Sequence, residues 1–484
     1  MPSSFSESAT PDPEHLISEG LRLAAAGHPA EALAAYDRAL TAVPDDPAAL
    51  YGRGDALWDL DRPEEALESF RDVLRQRPDF ADALYNVATL LHQLGRYAEA
   101  ATAWQALLPQ TPNDPDAFLG FGNACFRLGR FDAAAAGYGR AAALRPNDPD
   151  AWVNRATALR LLGQTAEALA SCERALALRA NHPDALASRA GILLDLDRLE
   201  EALASSEQAL AGAPNHVVAL NNRGTALFRL QDPDRALASF EQALAGAPEN
   251  LEALCNRGVA LRELRRLPEA LAAFEHAVAA VPGNPKALYN RGMTLLQMGR
   301  LPEGWRDCEN RWAAGKFARP DLPAGLPQWT GQPLEGRSIL VYREQGVGDV
   351  IQFARYLPLL AAQGAEVVFW TEPATRHLLE SLPATGGAIR IVTEPPETAR
   401  FDFQCALMSL PLGFATTLET IPAAVPYLAA EADRVAGWRA RIGTEGRKLG
   451  LCWQGNPAHR NDRNRSLPLE KLHALAEIPG VRLF

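Results

Sequence analysis

Residues 217–250 read VVALNNRGTALFRLQDPDRALASFEQALAGAPEN, and residues 251–284 read LEALCNRGVALRELRRLPEALAAFEHAVAAVPGN. The two stretches share a glycine, an alanine, a phenylalanine and a proline at a spacing of 34 residues: Gly224 and Gly258, Ala236 and Ala270, Phe240 and Phe274, Pro248 and Pro282. Self-similarity at a period of this length is typical of stacked repeats, each of which is one supersecondary unit. The sequence therefore predicts a solenoid.

The same period continues toward the N-terminus. The alanine occurs in eight consecutive repeats, at Ala32, Ala66, Ala100, Ala134, Ala168, Ala202, Ala236 and Ala270. A small residue stands twelve positions before each alanine, at Gly20, Gly54, Ala88, Gly122, Ala156, Ala190, Gly224 and Gly258. Small residues on one helix let a second helix approach closely, so each repeat is predicted to be a packed helical hairpin.

The pattern resembles the tetratricopeptide repeat, and the resemblance covers residues 13–284 as eight repeats after a disordered N-terminus at 1–12. Pairs such as Asp46-Pro47 and Asp148-Pro149 precede many of the predicted first helices. They indicate helix starts, because the carboxylate can cap the helix and proline suits its first position. A single unit cannot bury its own apolar face, so the hairpins are expected to stack into a right-handed α-solenoid with a concave groove.

The array is predicted to end in a degenerate ninth repeat and capping helices at 285–318, because Gly304 stands where the alanine would be. Residues 319–337 are expected to form a packed linker. Three tryptophans surround this connection, at Trp305, Trp312 and Trp329, and large aromatic side chains need a surface against which to be buried.

The sixth position of the repeat is where this sequence suggests a binding function. Asparagine occupies it in five of the nine repeats, at Asn86, Asn154, Asn222, Asn256 and Asn290. Because an asparagine side chain carries both donors and an acceptor, a ladder of them can hold the backbone of an extended peptide. O-linked N-acetylglucosamine transferases have a similar ladder. The alternative is that these amides bond only within or between the helices of the array.

After Gly336 the hydrophobic period changes. Apolar runs at Ser338–Tyr342, Glu366–Trp370 and Ala388–Val392 read as strands, separated by helical stretches at Val350–Ala362 and Ala374–Leu382. This alternation predicts an α/β doubly wound parallel sheet of Rossmann type at 338–430. Residues 431–484 are expected to hold a linker helix and the beginning of a second such half.

The loop Gly346-x-Gly348 lacks the third glycine of a dinucleotide fingerprint, since Ile351 stands there, and an NAD site is therefore disfavoured. The segment ILVYREQGVGDVIQFARYLPLL at 339–360 resembles the opening of GT-B glycosyltransferases of the heptosyltransferase type. Together with SLPLGFATTLETIP at 409–422 and GLCWQGNPAHRNDRNRSLPL at 450–469, it resembles bacterial tetratricopeptide proteins with a glycosyltransferase-like tail. This resemblance covers about residues 331–484.

The resemblance implies transfer of a sugar from a nucleotide-diphosphate donor to a protein or glycan, with Asp349 as the catalytic base. The donor diphosphate is expected to meet six residues: Gly346, Gly348, Asn456, Arg460, Arg463 and Arg465. Two alternatives stay open from the residues themselves, since Asp349 can cap a helix and the arginines can form a solvated loop.

A further alternative is a non-catalytic scaffold. The chain ends where a GT-B enzyme would continue its second half, so the sequence reads as truncated, and a scaffold with a vestigial transferase domain is equally compatible. An unpaired sheet edge would then favour self-association.

The composition limits the partners. The net charge of −11 disfavours nucleic acid, and no apolar run is long enough to span a membrane, so a cytoplasmic protein is expected. Six cysteines without a CxxC pair argue against a metal site, and no cofactor is predicted. The expected partners are a protein segment in the groove and a nucleotide-diphosphate sugar.

Overall fold

The fold is described from a computed structural model of the chain. The structure describes residues 12–317, 319–320, 322, 325–383, 386–397, 401–455 and 466–484. The expected disorder at 1–12 therefore lies almost entirely outside the described residues. The chain divides into two compact units, with the boundary between Pro282 and Gly283.

The first unit is an array of eight helical hairpins, as the 34-residue period predicts. The first and second helices alternate along the chain as α1 (Pro13–Ala25), α2 (Pro29–Ala42), α3 (Pro47–Asp59), α4 (Pro63–Gln76), α5 (Ala81–Gln93), α6 (Tyr97–Leu107), α7 (Pro115–Arg127), α8 (Phe131–Leu144), α9 (Pro149–Leu161), α10 (Thr165–Leu178), α11 (Pro183–Asp195), α12 (Leu199–Gly212), α13 (Val217–Arg229), α14 (Pro233–Gly246), α15 (Leu251–Glu263) and α16 (Leu267–Ala280).

Local chemistry fixes the ends of these helices. At α3 the Asp46 carboxylate accepts hydrogen bonds of 2.9 Å from the backbone N–H groups of Ala48 and Ala49, with Pro47 at the first helical position. Such bonds satisfy N–H groups that have no partner inside the helix. Between the two helices of a hairpin the backbone turns through positive φ, at Gly95 with 73° and at Asp61 with 56° in the equivalent place. The hairpin turn is therefore a backbone requirement of every repeat.

The repeated glycines and aromatics form the contacts between helices. A β-carbon added at Gly224 would lie 2.5 Å from the ring of Phe240, and one at Gly258 would lie 2.6 Å from Phe274. Both phenylalanines are at most 1% exposed, and Ala236 is fully buried. The small residue thus leaves space that the aromatic ring of the second helix fills, which is the dense packing expected of a protein interior.

The first helices line the inner side of this unit. Helix α11 contacts α9 and α13 directly, and α13 also contacts α15, whereas second helices of successive hairpins have no comparable contact. Elements on the inner side of a curved stack lie closer together than those on its outer side. The concave surface of the eight-hairpin unit is therefore formed by its first helices.

The second unit begins with a ninth hairpin, α17 (Pro285–Gln297) and α18 (Leu301–Cys308), followed by a 3-10 turn at Glu309–Arg311. This hairpin belongs to the same compact unit as the sheet that follows it. Gly304, which replaces the repeated alanine, packs against Leu296.

A four-stranded parallel sheet follows. Its strands are β1 (Ser338–Tyr342), β2 (Glu366–Trp370), β3 (Ala388–Val392) and β4 (Phe403–Ala406), arranged in the order β3-β2-β1-β4. Leu340 in the central strand lies opposite Val368 on one side and Gln404 on the other. The bounds of β1, β2 and β3 are those predicted from the sequence. Strands buried in such sheets carry near-continuous apolar runs, which is why they were recognisable.

The helix expected at Val350–Ala362 is divided into α19 (Val347–Phe353), a 3-10 turn at Ala354–Tyr356 and α20 (Leu357–Ala362). The single-helix prediction was wrong because Pro358 has no N–H to donate to the carbonyl of Ala354, so the regular ladder cannot pass this point. Two further helices belong to this region, α21 (Pro373–Leu379) and α22 (Leu410–Gly413).

The last part of the unit has little buried structure. Helix α23 (Ala432–Ile442) has no buried residue, and the strands β5 (Arg447–Leu449) and β6 (Val481–Leu483) form a separate two-stranded parallel pair. A 3-10 helix occupies Leu469–Leu475. Among the described residues of 431–484, the regular structure consists of α23, this 3-10 helix and two short strands.

Candidate functional site

The asparagines of the sixth repeat position lie between successive first helices. The Nδ2 group of Asn86 donates to the hydroxyl of Tyr51 at 3.1 Å and to Oδ1 of Asp55 at 3.2 Å, and both acceptors belong to the preceding first helix. Asn222 is 7% exposed, and its Nδ2 donates to the backbone oxygen of Ala187 at 2.9 Å. Each of these two amides therefore links its own helix to the first helix of the preceding hairpin.

The remaining three asparagines differ in detail. Nδ2 of Asn256 donates to Oδ1 of Asn221 at 2.9 Å, again in the preceding first helix. Nδ2 of Asn290 donates to the backbone oxygen of Lys286 in its own helix at 3.0 Å. For Asn154, which is half-buried, no side-chain hydrogen bond is found within the described residues. The asparagines thus share one position of the repeat but differ in their hydrogen bonds.

The Oδ1 acceptor atoms of the ladder differ from its Nδ2 donors in their hydrogen bonding. Within the part of the chain that the structure describes, no hydrogen bond is made to Oδ1 of Asn86, Asn222 or Asn256. Since an amide oxygen can accept two hydrogen bonds, these three side chains hold the array with their donors and retain an acceptor. Of the two interpretations of the ladder, bonding between helices accounts for the donors only.

Carboxylates gather around the second and third first helices. Burial, together with the charges of Asp59 and Asp82, raises the pKa of Asp55 to about 6. Burial and the charge of Asp55 raise the pKa of Tyr51 to about 12. Among the described residues, no Lys or Arg forms an ion pair with any of the three aspartates. Sequence reasoning missed this group because its members become neighbours only when α3 and α5 are stacked.

Asp349 lies at the carboxyl edge of the four-stranded sheet, in the first turn of α19. The residue at the N-cap is Gly346, so Asp349 is not the cap, and its half-buried side chain makes no hydrogen bond among the described residues. A β-carbon at Gly348 would meet no atom within 4 Å, so the backbone of this loop is open. The loop therefore presents one carboxylate and two exposed glycines.

The other residues assigned to a donor diphosphate lie outside the described residues. These are Asn456, Arg460, Arg463 and Arg465. Their contact with a donor diphosphate therefore stays a prediction.

A buried ionic group at Arg311 and Glu344 was not predicted. Arg311, which follows α18, is 2% exposed and donates to both carboxylate oxygens of Glu344, at 2.5 and 3.0 Å. The Glu344 side chain is fully buried. The sequence signal was weak, because an arginine after a degenerate repeat and a glutamate in a loop both suggest solvated charge.

Neither a metal site nor a membrane span is found in the described ranges. No three His, Cys, Asp or Glu side chains among these residues are grouped closely enough to hold a metal ion. No described helix has the length and apolar character needed to cross a bilayer.

Comparison with protein families supports the repeat pattern. A family model described as tetratricopeptide repeat matches residues 17–79, 54–115, 119–183, 221–285 and 266–314. A second model of the same description matches residues 184–249. These matches end at residue 314, before the first strand of the sheet.

Individual relatives are distant. Protein FlbA of Caulobacter vibrioides is 25% identical over 197 residues, which are 37% of this chain, and the chain spans 33% of the length of that protein. A crystal structure of a tetratricopeptide repeat protein from Parabacteroides merdae is 16% identical, with a TM-score of 0.47 over 51% of this chain and 98% of that one. YrrB, described as a TPR protein with an unusual peptide-binding site, is 22% identical, with a TM-score of 0.29 over 39% of this chain and 97% of that one.

Proposed function

The chain belongs to the tetratricopeptide repeat family, and on that premise we propose that the concave surface of its first helices binds an extended segment of a partner protein. The observation that carries the proposal is the state of the asparagine ladder. The donors of Asn86, Asn222 and Asn256 are engaged inside the array, while their Oδ1 atoms accept no hydrogen bond among the described residues.

The hydrogen bonds made by the Nδ2 donors fix the orientation of the Oδ1 acceptors before a ligand binds. Because Nδ2 of Asn222 is held by the carbonyl of Ala187, the amide plane is oriented before a partner arrives. A backbone N–H of an extended peptide can then donate to Oδ1 with little loss of side-chain freedom on binding. Backbone groups are the same in every peptide, so the ladder supplies affinity and leaves sequence preference to the residues beside it.

The test begins with a peptide selected from a displayed random library with the full chain. Its affinity is then measured for the double variant Asn222→Ala, Asn256→Ala. Two lost hydrogen bonds of about 1 kcal/mol each predict a loss on the order of ten-fold or more. The matched control is Gln208→Ala with Glu275→Ala, because both side chains are exposed on second helices.

Methylating single backbone nitrogens of the selected peptide separates this proposal from a general loss of stability. Methylation at a nitrogen that donates to Oδ1 should weaken binding to the wild type and have little further effect on the double variant. Equal affinity of the peptide for the double variant and for the wild type would remove the ladder from the binding surface.

A second function is proposed for residues 338–484, namely transfer of a sugar from a nucleotide-diphosphate donor with Asp349 as the base. Two observations favour it. In the order β3-β2-β1-β4 the strand order reverses between β1 and β4. Open α/β sheets bind ligands at the carboxyl ends of their strands beside such a reversal. Asp349 lies at that edge with its carboxylate unbonded among the described residues. The competing proposal is a scaffold whose sheet has no catalytic role.

Calorimetric titration with UDP, GDP and ADP distinguishes the two. In the transferase proposal a nucleotide binds to the wild type, and binding is lost in Arg463→Ala with Arg465→Ala. Asp349→Asn should then retain nucleotide binding and lose hydrolysis of the corresponding nucleotide sugar. Absence of nucleotide binding would leave the scaffold proposal as the better account of this region.

A further inference from the structure

The buried group around Arg311 lies where the strand order of the parallel sheet reverses. From β1 the chain crosses to β2 and β3 on one side and returns to β4 on the other, so the reversal falls between β1 and β4. Tyr342 and Ala406 are paired at the carboxyl ends of these two strands. The residues that follow, Glu344 and Ser409, border the crevice in which an open α/β sheet usually takes its ligand.

In this protein the crevice holds a side chain of the same polypeptide. All five N–H groups of the Arg311 guanidinium donate hydrogen bonds. Nε donates to Glu344 Oε2 at 2.5 Å, and Nη2 donates to Glu344 Oε1 at 3.0 Å and to Ser409 Oγ at 2.7 Å. Nη1 donates to Glu309 Oε1 at 2.7 Å and to the Cys308 backbone oxygen at 3.1 Å. The donor capacity of an arginine is thereby used completely.

The acceptors are tied together as well. The backbone N–H of Met408 donates to Glu344 Oε1 at 3.1 Å, and the hydroxyl of Ser409 donates to Glu309 Oε1 at 2.7 Å. The ring of Trp312 covers the guanidinium, with its centroid 4.6 Å from the Arg311 Cζ atom. Every polar group of Arg311 and Ser409 thus has a partner, as buried polar groups require.

The charges of the group favour a protonated guanidinium. Burial of Arg311 opposes its charge, but its contacts with the Glu344 and Glu309 carboxylates outweigh that effect and raise its pKa above the ordinary value. A lysine could not replace this arrangement, because a single ammonium has neither the planar fork nor five donors.

We propose that Arg311 is a built-in lock, which holds the end of the ninth hairpin against the carboxyl edge of the sheet and fills the ligand crevice between β1 and β4. The lock joins three stretches that are distant in sequence, at 308–311, 344 and 408–409. A nucleotide that binds at this edge must therefore do so on the side of α19, or displace Arg311. This inference is independent of peptide binding by the array.

Hydrogen exchange of the full chain, followed by mass spectrometry, tests the lock. In Arg311→Ala the carboxylates of Glu344 and Glu309 lose their partner, and breaking a buried pair in this way predicts exchange on the order of 100-fold faster in peptides covering 338–344 and 404–410. Addition of millimolar guanidinium should restore protection, because the ion fits the space that the side chain leaves. Arg311→Lys should not restore it.

Arg306→Ala is the matched control, since Arg306 lies on α18 five residues earlier and is exposed. Its exchange should equal that of the wild type with and without guanidinium. If Arg311→Ala does not fold, Ser409→Ala decides the question, because it removes one hydrogen bond to Arg311 and predicts exchange roughly five-fold faster in the same peptides. Unchanged exchange in Arg311→Ala or in Ser409→Ala, or equal acceleration in Arg306→Ala, would overturn the lock.

Discussion

The contacts between the two helices of a hairpin in the array and the contact between the ninth hairpin and the sheet are built in opposite ways. Within the array, a small residue such as Gly224 receives a buried aromatic ring such as Phe240, and the same pairing recurs at Gly258 and Phe274. Beside the sheet, the contact centres on Arg311 and Glu344, two charged side chains removed from solvent. One contact is apolar and repeated, and the other is ionic and single.

This difference has a physical basis. Apolar packing is non-directional and depends on area and shape, so one solution can be copied from hairpin to hairpin with modest changes. A buried ion pair stabilises only when every donor and acceptor is matched in direction and distance. The array therefore tolerates variation between repeats, whereas the Arg311 group specifies one arrangement of three chain segments.

The largest expected effect breaks the ionic contact. Glu344→Leu leaves the buried guanidinium of Arg311 with Glu309 as its remaining carboxylate, which predicts a loss of about 4 kcal/mol in the free energy of unfolding of the second unit. The double variant Arg311→Leu, Glu344→Leu should recover most of that loss, because an apolar pair carries no desolvation cost. Urea denaturation of the three proteins measures both steps, and a double variant no more stable than Glu344→Leu would contradict this account.

A smaller effect is expected from the apolar contact of the array. Phe240→Ala removes a ring that is 1% exposed and leaves a cavity beside Gly224, which predicts a loss of about 3 kcal/mol. Hydrogen exchange should locate the loss in α13 to α16, because Phe240 shares one buried apolar cluster with Leu227, Leu261 and Phe274 of these helices. Phe228→Ala, at a partly exposed position of α13, is the control and should cost less.

Gly224→Ala tests the same contact from the opposite side. The new methyl group would lie 2.5 Å from the Phe240 ring, and overpacking of this kind predicts a loss of about 2 kcal/mol. Adding Phe240→Leu should restore part of the stability, which a double-mutant cycle in urea would measure. Gly348→Ala serves as the control, since its methyl group meets no atom within 4 Å.

The smallest effect is a gain in stability that depends on pH. The pKa of Asp55 is about 6 in the folded protein, above its ordinary value of 3.8, so the folded state takes up a proton more readily than the unfolded chain. Stability is therefore lost as pH rises between these two values, and the ionised carboxylate is a cost at neutral pH. Asp55→Asn should remove that cost and add about 1 to 2 kcal/mol near pH 7.

The gain from Asp55→Asn should disappear below about pH 4, where both states of the wild type are protonated. Urea denaturation at the two pH values measures the difference. Asp79→Asn is the control, because Asp79 is exposed, and it should show no such dependence. A gain of equal size at both pH values would mean that the carboxylate is not ionised at a cost in the folded array.

The fold was more predictable from the sequence than the candidate site. The alanine recurs in all eight hairpins of the array together with a glycine or alanine twelve positions before it, and the strands Ser338–Tyr342, Glu366–Trp370 and Ala388–Val392 are rich in apolar β-branched and aromatic residues, so both architectures were predictable. The division of the helix before Ala362 was missed, although Pro358 was visible. The site was less predictable, because the sequence did not indicate that the Asn222 donor would bond to Ala187 or that Arg311 would lie against Glu344.

Periodicity and local chemistry thus determined the helical hairpins, their number, their caps and the parallel strands, because these depend on residues close in sequence or repeated at a fixed interval. Tertiary structure alone decided which atoms of the asparagines stay available, how the carboxylates around Asp55 raise its pKa, and that Arg311 fills the crevice of the sheet. Those outcomes depend on distances between residues that are remote in the chain. The sequence contains no periodic pattern that indicates which charged or polar side chains will contact one another.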